Sequence, residues 1–425
     1  MRVLFVTPIE HGSGEIITSR HMAEGVERAG GAVHFLASPF AHKLVAGRFP
    51  DAAQELPSDA AGSRRVWRST LNSFRPDAVV FADYPLLFFQ TGVSPLVREP
   101  GWADELEQAD ACLITLDHTG FAQAPIEMFF GPPHLSLHYE TLPAIPERMR
   151  ILLPCPMNDP RPNPSRNGLP FRYWDVPLNI PGDLKARIRR RFLSDGRDLL
   201  IFHSVPGWAW RAAHIYGLPY FSFLPQILEY HLGALASRTV VVSVNNGSLL
   251  PERTDAKLRI VNLPILPVPE YESLMFASDL MITDNKISIS LGKAVCGLQP
   301  CAAFKNRYTL RELLTRLGDP LREAILSMES LKLGSIFPYE VFPSGMTEEL
   351  QELGLYRGNS LTNAFVELEI FDDEETGEKL RALLTQHESR MALREEQRRY
   401  LSELGLLPET AHALQQVLSD APNRK

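Results

Sequence analysis

Short apolar segments that alternate with helical segments are the feature of this sequence that most restricts its fold. In the first half the apolar segments are RVLFV, AVHFLA, DAVVFAD and ACLITLD, and each ends beside polar residues or glycine. Such runs are typical of short strands that are fully buried. Because strands that alternate with helices form parallel sheets with helices on both faces, the sequence predicts a doubly wound α/β domain.

A proline-rich segment separates this series from a second one. Residues 154–182 carry too many prolines for regular structure, and we interpret them as a linker between domains. After the linker come the helical segment DLKARIRRRFLSD and the apolar segments DLLIFHS, TVVVSVN, LRIVNLP and DLMITD, with further helical segments among them. The predicted fold class is therefore α/β, with two tandem Rossmann-like, doubly wound domains that face a cleft.

The predicted domain boundaries follow from these segments. Residues 1–153 form an N-terminal Rossmann-like domain, and residues 183–388 form a second one with an insertion at about 305–368. Charged helical segments occupy residues 389–425, and a return of these helices to the first domain is one arrangement open to them. A length of 425 residues is enough for two domains.

Charge and hydropathy argue against two classes of partner. The chain has 43 Lys and Arg residues against 51 Asp and Glu residues, and its one notable basic cluster, Lys185 to Arg191, is short enough to be a solvated helix face. We therefore expect no nucleic acid partner. No segment approaches the ~18 apolar residues that span a bilayer, so we also expect no integral membrane association. These features predict a soluble, cytoplasmic protein, and they leave a homodimer open.

The cysteines give no sign of a metal site or of disulfides. None belongs to a C-x-x-C pair, and none lies near histidines at the spacing that zinc requires. We expect reduced, buried thiols at all four positions. The four are Cys112, Cys155, Cys296 and Cys301.

The turn after the first apolar segment is a candidate binding site. The sequence HGSGE, residues 11–15, joins a predicted strand to a predicted helix over residues 16–29. Such a turn presents free backbone N–H groups, as an anion site does. The carboxylate of Glu15 would repel a phosphate there, so the role of this acidic residue needs another explanation.

A second candidate site lies in the segment ITDNKISISLGKAVCGLQP. A strand runs into Asp284, Asn285 and Lys286, and a helix begins at about Ser288. Ser288 and Ser290 are placed to cap this helix and to donate hydroxyl groups to phosphate oxygens, while Lys286 would offset phosphate charge. The alternative is a simple helix cap beside a lysine in solvent.

The chain resembles the GT-B glycosyltransferases in its tandem domains, and the segment YESLMFASDLMITDNKISISLGKAVCGLQP is similar to their donor-site signature. On that pattern Asp284 takes the place of the usual histidine, Ser290 that of a threonine, and Gly297 that of the closing glycine. Gly292 takes the place of a glutamate that commonly holds the ribose hydroxyls. The nucleotide and the manner of ribose binding therefore stay open.

The opening turn is similar to that of the lipid-linked N-acetylglucosaminyl transferases within this group. The spacing from Glu15 to Gly30 matches theirs, and it puts Glu15 where those enzymes have a histidine. The resemblance implies that Glu15 is a general base for the acceptor hydroxyl. His118 and His11 are further candidates for a catalytic role or for binding the acceptor. Otherwise His118 is a loop histidine without a catalytic role.

The remaining candidates lie at the ends of predicted strands. The acceptor side would include Gly12, Ser13, Gly14, Asp83, Tyr84 and Asp117, although a structural turn at residues 83 and 84 is the alternative. The donor side would include Ser204 and Gly207 near the phosphates, Trp208 for stacking, and backbone atoms of Leu263 and Ile265 around the base. Asn246, Asp284, Asn285 and Lys286 complete that set, and core packing is the alternative for Trp208. We interpret FDDEE, residues 371–375, as a helix cap rather than a metal site.

The resemblance implies transfer of a sugar from a nucleoside diphosphate sugar to a small-molecule acceptor in the interdomain cleft. It implies no cofactor beyond that co-substrate, no metal, and a place in secondary metabolism or in the synthesis of cell-surface polysaccharide. Two alternatives are a nucleotide-sugar 2-epimerase and a catalytically inactive GT-B homologue that acts as a binding partner.

Overall fold

The structure is a computed structural model of the 425-residue chain. It describes residues 1–9, 13–88, 93–98, 100–118, 127–129, 139–141, 145–161, 168–174, 178, 180–205, 207, 220–233, 235, 237–245, 250, 253–254, 257–286, 288–305, 315, 318–319, 322–323, 326 and 358–420.

The predicted strands are present at the positions of the apolar segments. For example, AVHFLA and TVVVSVN correspond to the second and the eleventh strand. In chain order the strands of the described residues are β1 (Arg2–Thr7), β2 (Ala32–Ala37), β3 (Ala53–Glu55), β4 (Ala78–Phe81), β5 (Cys112–Leu116), β6 (Glu127–Phe129), β7 (Tyr139–Thr141), β8 (Arg150–Cys155), β9 (Leu169–Arg172), β10 (Leu199–Ser204), β11 (Thr239–Val244), β12 (Arg253–Thr254), β13 (Leu258–Leu263), β14 (Leu280–Thr283), β15 (Cys301–Lys305) and β16 (Val366–Glu369).

Helices lie between most of these strands, as the alternating pattern predicts. In the described residues they are α1 (Ser13–Arg28), α2 (Pro39–Val45), α3 (Ala60–Phe74), α4 (Trp102–Gln108), α5 (Gly182–Phe192), α6 (Tyr220–Gly233), α7 (Val268–Ala277), α8 (Ile289–Cys296), α9 (Asp373–Thr385), α10 (His387–Leu404) and α11 (Thr410–Ser419). Short 3₁₀ turns occur at Pro85–Phe88, Pro95–Val97 and Ser360–Asn363.

The strands form two doubly wound sheets, which confirms the predicted fold class. The first sheet has the order β3-β2-β1-β4-β5-β8-β9 and the second β12-β13-β11-β10-β14-β15-β16. Every pair in them is parallel except β12 with β13. The strand order reverses between β1 and β4 and again between β10 and β14. In such sheets ligands bind outside the carboxyl ends of the strands at these reversal points.

The interpretation of residues 154–182 as a segment without regular structure is wrong at Leu169–Arg172. These residues form β9, which pairs with β8 in the register Leu153 with Pro170 and Cys155 with Arg172. A proline is tolerated there because β9 is an edge strand, on which one row of N–H groups needs no partner. The predicted domain boundaries themselves stay predictions.

The two sheets share one hydrophobic core. Phe5 and Val3 of β1 belong to the same cluster of buried side chains as Phe202 of β10 and Leu291 of α8. Separate clusters fill the outer face of each sheet. The two halves of the chain are therefore joined by apolar packing.

The C-terminal helices contact both halves of the chain, and on the second half the Gln397 side chain of α10 donates to the Gln299 carbonyl at 2.9 Å. The predicted charged helical stretch is two helices, α9 and α10, which meet at Gln386. The Tyr400 hydroxyl of α10 donates a hydrogen bond to the carbonyl of Pro156, and Thr410 of α11 packs against Gly25 of α1. Asp372 caps α9 by accepting a hydrogen bond from the Glu375 N–H at 3.0 Å, as predicted for FDDEE.

The cysteines and the helices of the described residues can be compared with what the sequence predicts about thiols and membrane spans. The four cysteines all lie in the described residues, where each is buried and none forms a disulfide. Burial raises the pKa of Cys296 to about 12, which keeps its thiol protonated. A helix able to cross a membrane, long and apolar throughout, does not occur in the part of the chain that the structure describes.

Candidate functional site

Two aspartates lie side by side at the carboxyl end of the first sheet. Strands β4 and β5 pair in the register Phe81 with Thr115, and two more residues along each chain bring Asp83 opposite Asp117. Neighbouring strands are about 4.8 Å apart. Both side chains are buried, with exposed fractions of 1% and 2%. The structure therefore brings together two of the predicted acceptor-side residues.

Glu15 approaches the same place from the first turn of α1. It is partly buried, and its carbonyl accepts a hydrogen bond from the Ser19 hydroxyl at 3.0 Å. Burial raises the pKa of Glu15, and the hydrogen bond from its own backbone N–H offsets part of that rise. Ser13 and Gly14 begin the helix, whereas His11 and Gly12 lie outside the described residues.

The charges of two of these acidic side chains act on the third, Asp83. Burial raises the pKa of Asp83 well above its usual range, and the negative charges of Asp117 and Glu15 raise it further. The Leu86 N–H donates to Asp83 Oδ1 at 3.3 Å, which offsets only part of the rise. Asp83 Oδ2 is buried and has no hydrogen-bond partner among the described residues. We call Glu15, Asp83 and Asp117 the acidic cluster.

His118 follows Asp117 and is buried. Its exposed fraction is 6%, and neither ring nitrogen has a partner within the part of the chain that the structure describes. Burial lowers the pKa of His118 to about 3, because the charged imidazolium loses its hydration there. The imidazole is therefore neutral at physiological pH, with one nitrogen able to donate and the other able to accept.

Tyr84 has a packing role in the structure. Its N–H donates to Thr115 Oγ1 at 2.9 Å, and its ring packs against Phe81 in a T-shaped contact at 5.7 Å. The side chain belongs to the buried cluster on the outer face of the first sheet. The structural alternative given for Tyr84 therefore fits its position better than acceptor binding does.

A chain of three hydroxyl groups marks the carboxyl end of the second sheet. Ser204 Oγ lies 2.7 Å from the Tyr271 hydroxyl oxygen, which lies 2.8 Å from Ser290 Oγ. These residues come from the end of β10, from α7 and from the first turn of α8. The structure thus joins two predicted phosphate ligands through a tyrosine that the sequence analysis missed. The only signal for Tyr271 was its place at the start of the segment YESLMFAS.

Asp284 is directed into the protein rather than into the cleft. Its Oδ2 lies 3.1 Å from Nε2 of His203, whose Nδ1 lies 3.2 Å from Ser243 Oγ. The Asp284 and His203 side chains have no exposed surface. The structure therefore separates Asp284 from the hydroxyl chain. The neighbouring Asn285 is also buried, and its N–H donates to Thr283 Oγ1 at 3.3 Å.

Lys286 and Ser288 depart from the arrangement expected of a phosphate site. The Lys286 ammonium forms an ion pair with Glu367, and the same carboxylate also pairs with Lys305. Ser288 is the N-cap residue of α8, but its side chain makes no capping hydrogen bond. The prediction that Ser288 caps the helix through its hydroxyl is therefore wrong in this structure.

The remaining donor-side residues are placed as follows. Leu263 ends β13 and is half-buried, Ile265 has an exposed fraction of 48%, and Gly207 is exposed. Trp208 and Asn246 lie outside the described residues. The part predicted for the backbone of Leu263 and Ile265 around the base stays a prediction.

The two halves meet closely where the two candidate sites converge. A Cβ atom on Gly14 of α1 would lie 2.8 Å from Ile289 Cδ1 of α8. A Cβ atom on Gly292 would lie only 2.5 Å from Pro156 Cγ, which follows β8. We call this contact of Gly14, Pro156, Ile289 and Gly292 the seam. The space that a side chain at Gly292 would need is therefore filled by the ring of Pro156.

A buried ion pair lies beside the seam. Lys293 of α8 pairs with Glu272 of α7, and its ammonium donates to His21 Nε2 of α1 at 2.9 Å. Burial opposes the ionisation of Glu272, but the contact with His21 and the charge of Lys293 lower its pKa to about 2. Trp174 lies over Lys293, with the ammonium 5.5 Å from the ring centroid. These charged groups link the two halves and were not predicted.

Comparison with known proteins identifies a family and a set of similar structures. A model described as a family of unknown function (DUF6365) matches residues 22–421. No curated protein sequence matches the chain.

Three solved structures illustrate the likeness. Spinosyn rhamnosyltransferase SpnG is 15% identical, with 99% of this chain and 100% of that chain covered and a TM-score of 0.54. Glycosyltransferase VinC in complex with DTDP is 12% identical, with 99% of each chain covered and a TM-score of 0.51. A UDP-glucosyltransferase from Polygonum tinctorium is 11% identical, with 98% of each chain covered and a TM-score of 0.50. This likeness shows the fold, and the predicted GT-B fold is confirmed.

Proposed function

This chain belongs to a protein family of unknown function (DUF6365), and we propose that it is a glycosyltransferase. The reaction moves a sugar from a nucleoside diphosphate sugar to a hydroxyl group of a small-molecule acceptor. Chemistry occurs between the carboxyl ends of the two sheets. A GT-B fold alone does not settle function, so the proposal depends on the residues at that place.

The observation that carries the proposal is the contact between the first turns of α1 and α8. Gly14 packs directly on Ile289 across the seam. Glu15 and Ser290 are each one residue from this contact. The predicted base and the predicted phosphate ligand, 275 positions apart in the sequence, are therefore neighbours. Both helices also direct the positive ends of their dipoles toward the seam, which favours an anionic ligand.

The second half supplies the donor site in this proposal. The hydroxyl chain of Ser204, Tyr271 and Ser290 and the free N–H groups at the start of α8 donate hydrogen bonds to the diphosphate. These donors stabilise the negative charge that develops on the leaving group. The DTDP bound in the VinC structure supports a nucleoside diphosphate as that leaving group.

The first half supplies the base and the acceptor site. The carboxylate of Glu15 takes the proton of the acceptor hydroxyl as its oxygen bonds to the anomeric carbon. The bond from that carbon to the diphosphate oxygen breaks, and the nucleoside diphosphate leaves with the electron pair. A raised pKa brings Glu15 closer to the operating pH and makes it a better proton acceptor. His118 is a weak base because its pKa is about 3, so binding the acceptor suits it better.

The proposed reaction needs no cofactor beyond the donor. The roles predicted for His11, Gly12, Trp208 and Asn246 stay predictions, because these residues lie outside the described part of the chain.

A nucleotide-binding screen tests the proposal. The purified protein is titrated calorimetrically with UDP, GDP, dTDP, CDP and ADP in the presence of EDTA. We expect one diphosphate to bind, and Ser290→Ala to weaken that binding. The corresponding nucleotide sugar is then supplied with hydroxyl-bearing acceptors, and Glu15→Gln should lower the turnover number about 10²-fold or more while donor affinity stays the same.

Three outcomes would contradict the proposal. Binding of no diphosphate would remove the donor site. Release of nucleotide in the absence of any acceptor, with a free sugar of altered configuration, would point to an epimerase. Nucleotide binding without turnover on any acceptor would point to an inactive homologue.

A further inference from the structure

Three partly buried carboxylates of this protein have a basic partner, whereas Asp83, which is only 1% exposed, has no basic partner among the described residues. Glu272 pairs with Lys293, Glu105 with Arg64 and Arg68, and Glu367 with Lys286 and Lys305. The charges that act on Asp83 are those of Asp117 and Glu15, and both are negative. Because buried charges in proteins are normally paired, an ionised Asp83 would need a cation that the described residues do not supply.

The same place also contains unmade hydrogen bonds. Asp83 Oδ2 and both ring nitrogens of His118 are buried and have no partner within the described ranges. The exposed fractions of these side chains are 1% and 6%. Nearly all buried polar groups in native proteins are hydrogen-bonded, so such atoms at a strand end point to a ligand that donates hydrogen bonds. The acidic cluster is therefore more than a patch of negative charge.

We propose that the acidic cluster and His118 bind an ammonium group of the acceptor, so that the acceptor is an amine-bearing polyol such as an amino sugar or an aminocyclitol. An ammonium group has three N–H donors, which match the carboxylate oxygens and the accepting nitrogen of His118. The acceptor hydroxyl then lies at Glu15, and the ammonium lies deeper, between Asp83 and Asp117. This inference rests on the proposed function, because it names the substrate of that same site.

An organic cation suits this site better than a bare metal ion. The described residues hold no group of three His, Cys, Asp or Glu side chains arranged to bind a metal. An ammonium group tolerates more varied positions of its acceptor atoms than a metal ion does, because each N–H group donates its hydrogen bond separately. Binding also favours the ionised form of Asp83, on which the charges of Glu15 and Asp117 act and to which the Leu86 N–H donates. Proton release on binding is therefore a second signature of the site.

Paired titrations without any donor test this inference. Glucosamine, galactosamine and 2-deoxystreptamine are each compared calorimetrically with the N-acetylated form, which keeps the ring and removes the charge. We expect at least one amine to bind 10-fold or more tightly than its acetylated form. Because binding releases a proton that the buffer takes up, the measured heat of binding should differ between phosphate and Tris buffers. Equal binding of the two forms, or no binding by any of the amines, would overturn the inference.

A pair of variants locates the effect. Asp83→Asn should abolish the preference for the amine, whereas Asp104→Asn, which removes the same charge from an exposed position in α4, should retain it. A preference that survives Asp83→Asn would overturn the proposed site. Should Asp83→Asn fail to fold, the paired titrations of the unaltered protein still decide the question.

Amine binding and sugar transfer can fail independently of each other in these experiments. A protein that transfers sugar to neutral acceptors and ignores the amines keeps the proposed function and loses the inference. A protein that binds an amine but no nucleoside diphosphate keeps the ammonium site and loses the transferase.

Discussion

At the scale of single residues, His118 shows how burial sets chemistry. Its imidazole has no partner among the described residues, and burial lowers its pKa from 6.5 to about 3. A histidine in the unfolded chain takes up a proton near pH 6.5, so the unfolded state binds more protons between these two values. The part of the unfolding free energy that depends on a neutral, buried His118 is fully present above about pH 6.5. It is lost progressively as the pH falls toward 3.

We therefore expect His118→Gln to flatten the acid limb of the stability profile. The slope of the unfolding free energy against pH should decrease by up to about 1.4 kcal/mol per pH unit below pH 6. Urea denaturation at several pH values between 4 and 8 measures it. His412→Gln, at an exposed position of α11, is the matched control and should leave the slope unchanged. An unchanged slope for His118→Gln would mean that the histidine is not buried as a neutral ring.

Single residues also show what the sequence can predict about the site. Asp83, Asp117 and His118 were predicted because each follows an apolar segment, and strand ends are readable from sequence. That Asp83 and Asp117 are adjacent depends on the register of β4 and β5, which the sequence does not reveal. The inward direction of Asp284 depends on His203, 81 positions away, and was equally hidden.

At the scale of elements, the hydroxyl chain depends on three separate pieces of secondary structure. The strand β10 and the helices α7 and α8 were each predicted from local patterns of apolar residues. Tyr271 nevertheless escaped notice, because a tyrosine at the start of a helix carries no sign of a partner 67 positions away. Local periodicity predicts elements well, whereas contacts between elements arise only from packing.

Removal of the Tyr271 hydroxyl should weaken donor binding without unfolding the protein. In Tyr271→Phe, Ser204 and Ser290 lose a hydrogen bond of about 0.5–1.5 kcal/mol and are no longer held in position. We expect the affinity for the nucleoside diphosphate to fall roughly 3- to 10-fold in calorimetric titrations. Tyr230→Phe, which removes a hydroxyl from α6, should have no effect on affinity. An unaltered affinity in Tyr271→Phe would show that the hydroxyl chain does not position the phosphate ligands.

At the scale of the whole molecule, the two halves are packed as one body. The shared core includes Phe5 from the first sheet and Phe202 from the second. The tandem α/β organisation was predicted because its strands and helices are local. The seam could not be predicted, because the space at Gly292 is set by Pro156, which is 136 positions distant and was assigned to a linker.

The seam should be sensitive to a single methyl group. In Gly292→Ala the new Cβ would lie 2.5 Å from Pro156 Cγ, and the proline ring is not free to move aside. We expect a loss of about 1–3 kcal/mol in the free energy of unfolding, measured by urea denaturation. Gly377→Ala in α9 adds the same methyl group where no atom lies within 4 Å, and it should stabilise the protein slightly. Equal stability of the two variants would mean that the halves are not in close contact at Gly292.

The packing of α11 on α1 has a consequence for how the protein is made. Residues 410–419 cover part of a helix that ends at Arg28, and their side chains Ala413 and Leu414 belong to the shared core. At roughly 5–20 residues per second, α1 leaves the ribosome on the order of 20 to 80 s before α11 does. During that interval the first sheet can form while one face of its first helix waits uncovered. The earliest helix to be synthesised is thus among the last to complete its packing.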